Sequence, residues 1–402
     1  MAAIVSVGIA TDPAFSAAPG VTSNSITIGI ITSLTGPAAN QELGVVPSAE
    51  ARIDEQNAHG GVFGRKIKVI VEDDATNPET NGTVSQVLVS KGVLAVIDQS
   101  ATVFGGYKVF QKAGIPVVGG AFDGPEWGQQ PNTNMFSIDG PLDPGDPATT
   151  TLPAFVKAHG GKVVASLGYS ISPSSVASAT GFIYASQELG LQKGYLNTTL
   201  PFGSVAVTPL ALQIKSANVD SIYLPLDQDT NFAILTALKQ DGLTLKVGVS
   251  ATGYGQALLD AKALLPDVQG TYFTTIGEPV ELHTTATKNF QAALAKYAHY
   301  TGVPGFDYYE GWASADLFIK GLELAGKHPT LSGFINALHK VTNYNAGGLL
   351  SPVNLTLKDF GKAPAVQCGW ETQLQGDKFV PVPANGKPTC GKTLPNSNQL
   401  SG

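Results

Sequence analysis

The chain is 402 residues long, enough for two or three domains that each bury a core. Hydrophobic residues make up 43% of it, charged residues only 14% against a usual quarter, and the net charge is −7. That balance excludes nucleic acid and anionic membrane as partners, because both demand a basic face and the Lys and Arg here are scattered.

No apolar run approaches the roughly 18 residues of a membrane-spanning helix. Residues 1–24 are poor in charge and rich in Ala, Ser, Gly and Pro, and the apolar run at 4–10 is short. The stretch 1–24 reads as a disordered tail or linker, compatible with the remnant of an export signal. No cysteine stands there to carry a lipid, so a lipid anchor would belong to a fuller precursor.

Residues 26–32 (ITIGIIT) form the first expected strand, closed by Ser33-Leu34-Thr35-Gly36-Pro37. Val46, Ala49 and Ile53 then recur at helical spacing. Gly60 and Gly61 can take positive φ and end that helix, with Gly64 as a further joint. Ile67, Val69 and Val71 alternate, and Ile70 is apolar too, as in a strand covered on both faces. Glu72-Asp73-Asp74 reads as turn chemistry: both aspartates can bond local backbone donors, and Asn77 or Thr80 can cap a helix over 80–91.

Further strands are expected at 93–97, 115–118, 163–167, 221–226, 245–249 and 271–274. Helices are expected at 173–189, 230–241, 285–300, 312–325 and 331–339. Such alternation produces parallel sheets with right-handed crossovers. A single sheet of about ten strands would be large. The expected fold is therefore α/β, with two doubly wound parallel-sheet lobes. Pro and Gly cluster without periodicity at 139–147, 276–279 and 343–352, where the breaks should fall.

The two cysteines, Cys368 and Cys390, lie near the C-terminus. Trp370, a polar strand-like stretch, a turn at Gly376-Asp377 and Phe379-Val380-Pro381-Val382 separate them. A hairpin-like return there would let the sulfurs meet, and in an exported chain an even cysteine count favours a disulfide over two unrelated thiols. A zinc site is excluded because no His is near and two ligands are too few.

Taken in order, Thr35-Gly36-Pro37, Asn57 followed by Gly60-Gly61, Gly64, and Asp73-Asp74 leading into Asn77-Pro78 resemble the periplasmic leucine/isoleucine/valine-binding protein family. Those proteins are the substrate-binding subunits of ABC importers. The resemblance continues through residues 75–98 and, more weakly, to about Val382. It implies three crossovers forming a hinge near 140–146, 276–280 and 343–351. Lobe one would be 25–140 plus 280–343, and lobe two 146–276 plus 351–395. It further implies an extracytoplasmic monomer that binds a small molecule between its lobes, needs no cofactor and is read by a membrane permease.

No catalytic constellation competes with that reading. There is no G-x-S-x-G, no G-x-x-x-x-G-K-[ST], no H-E-x-x-H, and no G-x-G-x-x-G after a strand. The histidines at 59, 159, 283, 299, 328 and 339 are scattered. No enzyme activity and no metal site are expected.

Ligands of open α/β sheets bind beyond the carboxyl ends of the strands, and that rule selects a few loops. The loop after 93–97 carries Ser100, Ala101 and Thr102 ahead of a helix, and hydroxyls and free N–H groups there suit a carboxylate. In the family this loop holds the ligand's carboxylate, and Ser100 and Thr102 fall at or beside the family's serine. Plain N-capping by Thr102 is the alternative. In the loop after 115–118, Ala121 matches the family's carbonyl for the ligand ammonium, Phe122 offers an apolar wall, and Asp123 replaces a threonine.

On the second lobe the candidates are Tyr169 and Ser172, then Asp227, then Thr252 and Tyr254. At Thr252 the family has a glutamate that pairs with the amino group. An unpaired buried ammonium costs several kcal/mol. The amine must therefore use Asp123 or Asp227, or the ligand has none. Two ligand classes follow: an amino acid with a rearranged amine site, or a non-amino aromatic or aliphatic carboxylate or larger apolar molecule. Phe104, Phe122, Trp127, Tyr169 and Tyr254 are available as walls. The functional expectation is a solute-binding protein of an ABC importer for a small carboxylate-bearing ligand, with a ligand-sensing receptor or regulator on the same fold as the alternative.

Overall fold

The computed structural model describes residues 18–120, 125–127, 132–139, 148–203, 206–360, 362 and 365–394. The first lobe begins with β1 (Ser25–Thr32), α1 (Ala39–Glu42), α2 (Val45–Ala58), β2 (Lys66–Asp73) and α3 (Pro78–Ser90). It continues with β3 (Val96–Asp98), α4 (Tyr107–Ala113), β4 (Val117–Gly119) and β5 (Met135–Ser137). The sheet order is β2-β1-β3-β4-β5, all parallel.

β1 is central because both of its faces are apolar. Ile26, Ile28 and Ile30 feed one core cluster and Ile31 feeds another on the opposite face. Gly29 lets α3 approach: a Cβ there would lie 2.5 Å from Leu88 Cδ1. Asn77 caps α3 by accepting from the N–H groups of Glu79 (2.9 Å) and Thr80 (3.0 Å), with Pro78 at the first helical position. Residues 18–24 belonged to the expected tail, yet they pack on this lobe. Thr27 donates its N–H to Gly20 (2.8 Å), and Val21 pairs with Ile26 and leans on the core. Trp127, expected as a cleft wall, is a core residue behind β4.

The second lobe comprises β6 (Ala148–Thr149), α5 (Thr151–Ala158), β7 (Val163–Tyr169), α6 (Pro173–Glu188), β8 (Gln192–Leu200) and α7 (Val207–Ser216). Then come β9 (Ser221–Leu224), α8 (Gln228–Gln240), β10 (Val247–Ser250), α9 (Gln256–Asp260) and β11 (Tyr272–Thr275). The chain next supplies α10 (Thr285–Tyr297), α11 (Phe306–Ala325) and α12 (Leu331–Leu338). α11 packs on α2 so closely that a Cβ at Gly311 would meet the Val45 carbonyl at 2.2 Å. Finally β12 (Val366–Gln375), β13 (Lys378–Val382) and β14 (Thr389–Leu394) return to the second sheet.

The parallel part of that sheet runs β8-β7-β9-β10-β11. Numbered within its own lobe, this is the order 2-1-3-4-5 again. An antiparallel extension adds β12, β14 and β6 beyond β11. β13 and β14 pair successive halves of β12. Strand β8 and helices α5 and α7 carry no clear sequence signal. β8 (QKGYLNTTL) is a half-exposed edge strand without an apolar run, and α5 has Pro153 inside its first turn, where proline is tolerated.

Cys368 and Cys390 stand directly opposite each other on β12 and β14 and form a disulfide with S–S 2.03 Å. The return takes two steps: β13 folds back on β12 through the turn at Gly376-Asp377, and β14, which carries Cys390, pairs the first half of β12. The bridge closes a loop of sequence separation 22. Loop entropy makes it worth about 3 kcal/mol. The double variant Cys368→Ser/Cys390→Ser should therefore lose about that much in urea unfolding, and an unchanged midpoint would show that β14 is held without it.

Candidate functional site

In a sheet of order 2-1-3, the crevice opens between the carboxyl ends of the first and third strands. On lobe one those ends are Thr32-Ser33 and Asp98-Gln99-Ser100. Asp74, wholly buried at the end of β2, joins them. Its Oδ1 accepts from Ser33 Oγ (2.8 Å) and the Thr76 N–H (3.0 Å). Its Oδ2 accepts from Asn81 Nδ2 (3.0 Å), Thr102 Oγ1 (2.9 Å) and Ser100 Oγ. Asp73 keeps to the turn, accepting from the N–H groups of Leu34 (2.9 Å) and Ala75 (2.8 Å).

A second acid enters from α1. Glu42 is buried, and its Oε2 accepts from Thr32 Oγ1 (2.9 Å) and the Ser33 N–H (2.5 Å). Its Oε1 accepts from the Ala101 N–H (3.1 Å). Burial pushes the Glu42 carboxyl from its ordinary 4.5 up to about 8, the hydrogen bonds only partly offsetting it and the charge of Asp74 adding to it. Asp98, also wholly buried, is held well above the usual carboxylate range by burial and then by Asp74 and Glu42.

Lobe two repeats the layout with other chemistry. Tyr169 ends β7 and donates its hydroxyl to Asp227 Oδ2, while burial and the Asp227 charge raise the phenol. Asp227 Oδ1 caps α8, accepting from the N–H groups of Asp229 and Thr230, both at 3.0 Å. Ser172 caps α6 through the Ser175 N–H (3.3 Å). Thr252 donates to the Leu226 carbonyl (2.9 Å) and accepts from Asn231 Nδ2 (3.1 Å).

These strand ends enclose a cavity of about 510 Å³. Pro37, Gln41, Thr76, Ala101, Thr102 and Phe306 form its first-lobe wall. Ile171, Ser172, Phe202, Leu226 and Thr252 stand across from them, Thr275 lines it from the end of β11, and Asp139 and Ile276 line it just beyond the strands β5 and β11. The lobes touch beside Gln41 and Asp227: Asn40 Nδ2 donates to Asp229 Oδ2 (3.1 Å), and Gln228 Nε2 donates to the Asn40 carbonyl (3.2 Å).

Of the residues expected at the site, Ala101, Thr102, Tyr169, Ser172, Asp227 and Thr252 line this cavity. Ser100 sits behind it, bonded to Asp74 and to the Thr102 N–H (3.0 Å). Tyr254 does not line it. Its hydroxyl donates to Glu281 Oε2 (2.7 Å) and accepts from the Val280 N–H (3.3 Å), joining the loop after β10 to the turn at 280–282. Ala121, Phe122 and Asp123 lie outside the described residues.

Gln41, Thr76, Phe202 and Phe306 went unnoticed in the sequence. The strand-end rule applied to β1 and β2 points to Gln41 and Thr76. Phe202 follows the unrecognised β8, where its ring meets Tyr169 at 4.7 Å between centroids.

Because the folded pKa of Glu42 is raised, its contribution to stability is fully present below about pH 4.5 and is lost as pH rises through about 8. Glu42→Gln removes that loss and leaves a side-chain oxygen for the Ala101 N–H. The melting temperature of Glu42→Gln relative to the parent should climb from pH 5 to pH 8.5, and a flat difference would show that Glu42 does not titrate there.

The match to the family model for periplasmic binding protein covers residues 25–378. The chain is 25% identical over 321 residues to Leu/Ile/Val-binding protein homolog 3 of Brucella melitensis, spanning 78% of this chain and 83% of that one. It is 36% identical to Leu/Ile/Val-binding protein BraC3 of Rhizobium johnstonii over only 72 residues, 18% of this chain and 20% of that one. Among solved structures, a fatty acid ABC transporter substrate-binding protein from Thermomonospora curvata superposes with a TM-score of 0.77 at 19% identity, covering 95% of this chain and 94% of that one. An R. palustris ABC transporter solute-binding protein in complex with 4-hydroxybenzoate superposes at 0.75 with 17% identity, covering 94% and 100%. Members of this family are extracytoplasmic solute-binding proteins of ABC transporters, not enzymes. With the matched fold and a cleft between two doubly wound lobes, the chain belongs to the periplasmic binding protein family, of the Leu/Ile/Val-binding type.

Proposed function

We propose that the protein is the solute-binding subunit of an ABC importer, acting as a monomer whose lobes close on a small organic solute for delivery to a membrane permease. The observation that carries this reading is the cavity of about 510 Å³, built from strand-end loops of both lobes. Its volume falls within the roughly 300–1,000 Å³ typical of small-molecule sites. The segments near 140–146, 276–280 and 343–351 would act as the hinge, since three parallel connections permit closure and restrict lateral slip.

The apolar body of the solute is matched by Pro37, Ile171, Phe202, Leu226, Ile276 and Phe306. Fatty acid and 4-hydroxybenzoate, named for the similar structures, are molecules with such a body. An amino group has less support, because Thr252 stands where the family's glutamate would and both Asp227 oxygens are already engaged.

Solution scattering and calorimetry over a panel of aromatic and aliphatic solutes test the reading. A bound solute should shrink the radius of gyration, and Ala251→Trp, which fills the cavity, should weaken binding at least a hundredfold without lowering the melting temperature. A solute that binds Ala251→Trp as tightly as the parent protein would move the site elsewhere.

A further inference from the structure

We infer that the cleft takes an uncharged solute, an apolar body carrying hydroxyl or carbonyl groups, and that Glu42 is the residue that bars a carboxylate head. This rests on the cleft being the solute site. The natural place for an anion is the set of N–H and O–H donors at the β1/β3 switch point. Here the protein's own acids hold those donors. Glu42 takes the Ala101 and Ser33 N–H groups. Asp74 takes the Ser100 and Thr102 hydroxyls and the Thr76 N–H. Asp73 takes the N–H groups of Leu34 and Thr35, and Ser100 Oγ takes that of Thr102. A ligand carboxylate seated on the Ala101 N–H would have to displace Glu42 Oε1 and leave that buried oxygen without its donor, while Oε2 keeps Thr32 and Ser33.

Nor does a cation compensate. No Lys, Arg or His is among the described residues lining the cavity, whereas Asp139 and Asp227 are. The segments outside the description (1–17, 121–124, 128–131, 140–147, 204–205, 361, 363–364 and 395–402) contain no Lys, Arg or His either. Lys362 lines a separate cavity of about 500 Å³ that shares Asp139, Thr275 and Ile276 with the cleft and holds Asp359 as well.

Among the described residues that line the cavity, a cationic solute fares no better. Asp227 is committed to the α8 N–H groups and to Tyr169, and Asp139 has a partner of its own. What the described lining leaves for a solute is neutral: the Gln41 amide, the hydroxyls of Ser172, Ser174 and Ser178 in the first turns of α6, and Thr274, which already bonds the Ala251 carbonyl. Such groups suit a hydroxyl or carbonyl, whose desolvation a single hydrogen bond offsets.

Calorimetry on the full chain at pH 7.5 with matched pairs tests the inference: 4-hydroxybenzyl alcohol against 4-hydroxybenzoate, and octan-1-ol against octanoate. The uncharged member of a pair should bind at least tenfold more tightly. Glu42→Ala, which frees the Ala101 N–H, should gain at least fivefold for the acid. Glu42→Gln, which keeps that bond, should gain less than twofold. An acid that binds the parent protein better than its alcohol overturns the inference, as does Glu42→Ala with no gain. Should Glu42→Ala fail to fold, the parent-protein pairs decide alone. Organic extraction of the purified protein followed by mass spectrometry supplies an independent readout. An uncharged molecule supports the inference, and a carboxylic acid overturns it while leaving the solute-binding reading intact. Absence of any solute-dependent compaction would instead sink that reading, and the inference with it.

Discussion

Asp74 is the group on which the first lobe's half of the cleft depends. A wholly buried carboxylate without partners would destabilise the fold by several kcal/mol. This one accepts five hydrogen bonds, from Ser33 at the end of β1, Thr76 in the turn after β2, Asn81 in α3, and Ser100 and Thr102 after β3. Charge-assisted bonds of this kind are short and strong. They hold the loops that follow three neighbouring strands in one arrangement, so the cavity wall is set before any solute arrives. Glu42 adds a second clamp between β1 and the same loop, and it does so at the surface of the cleft, where Ala101 is exposed to the cavity.

The two lobes share one strand order and solve the same geometric problem in different ways. On lobe one, acids draw hydroxyls and N–H groups inward, away from the cavity. On lobe two, Asp227 faces the cavity but is spent on α8 and Tyr169, while Ser172 spends one lone pair capping α6. Among the described residues that line the cavity, no charged side chain is left without a partner. In the proposed function the apolar surface contributed by Pro37, Phe202, Leu226 and Phe306 would be the main means of holding a solute, since burying it releases roughly 25 cal/mol per Å². The contacts of Asn40 with Gln228 and Asp229 are exposed and polar, and would suit the closure proposed for the two lobes.

Much of the scaffold was legible because its signals are local. Alternating or continuous apolar runs marked β1, β2, β7 and β9, and Asn77-Pro78 marked the start of α3. The strand-end rule selected the loops, and position against the family within them pointed to Ala101, Thr102, Tyr169, Ser172, Asp227 and Thr252, which line the cavity. Edge strand β8 was silent because one open edge and half-exposed faces place no apolar demand on its sequence.

Glu42 illustrates the limit most sharply. In Ala39-Asn40-Gln41-Glu42 it looks like a surface residue of a short helix, and only the three-dimensional return of that helix buries it. Asp74 was readable as a turn residue but not as the hub it is, because four of its five donors come from side chains placed by tertiary packing. Tyr254 failed for the opposite reason: its position relative to the strand end was right, but its ring lies against Phe379, and its hydroxyl found Glu281 instead of the cavity.

The most direct measurement is a crystal structure of the protein with the solute it carries when purified. The account predicts an uncharged molecule between Ala101 and Thr102 on one side and Ser172 and Thr252 on the other, with Glu42 still bonded to the Ala101 N–H. A carboxylate seated on the Ala101 N–H, with Glu42 turned away, would contradict it.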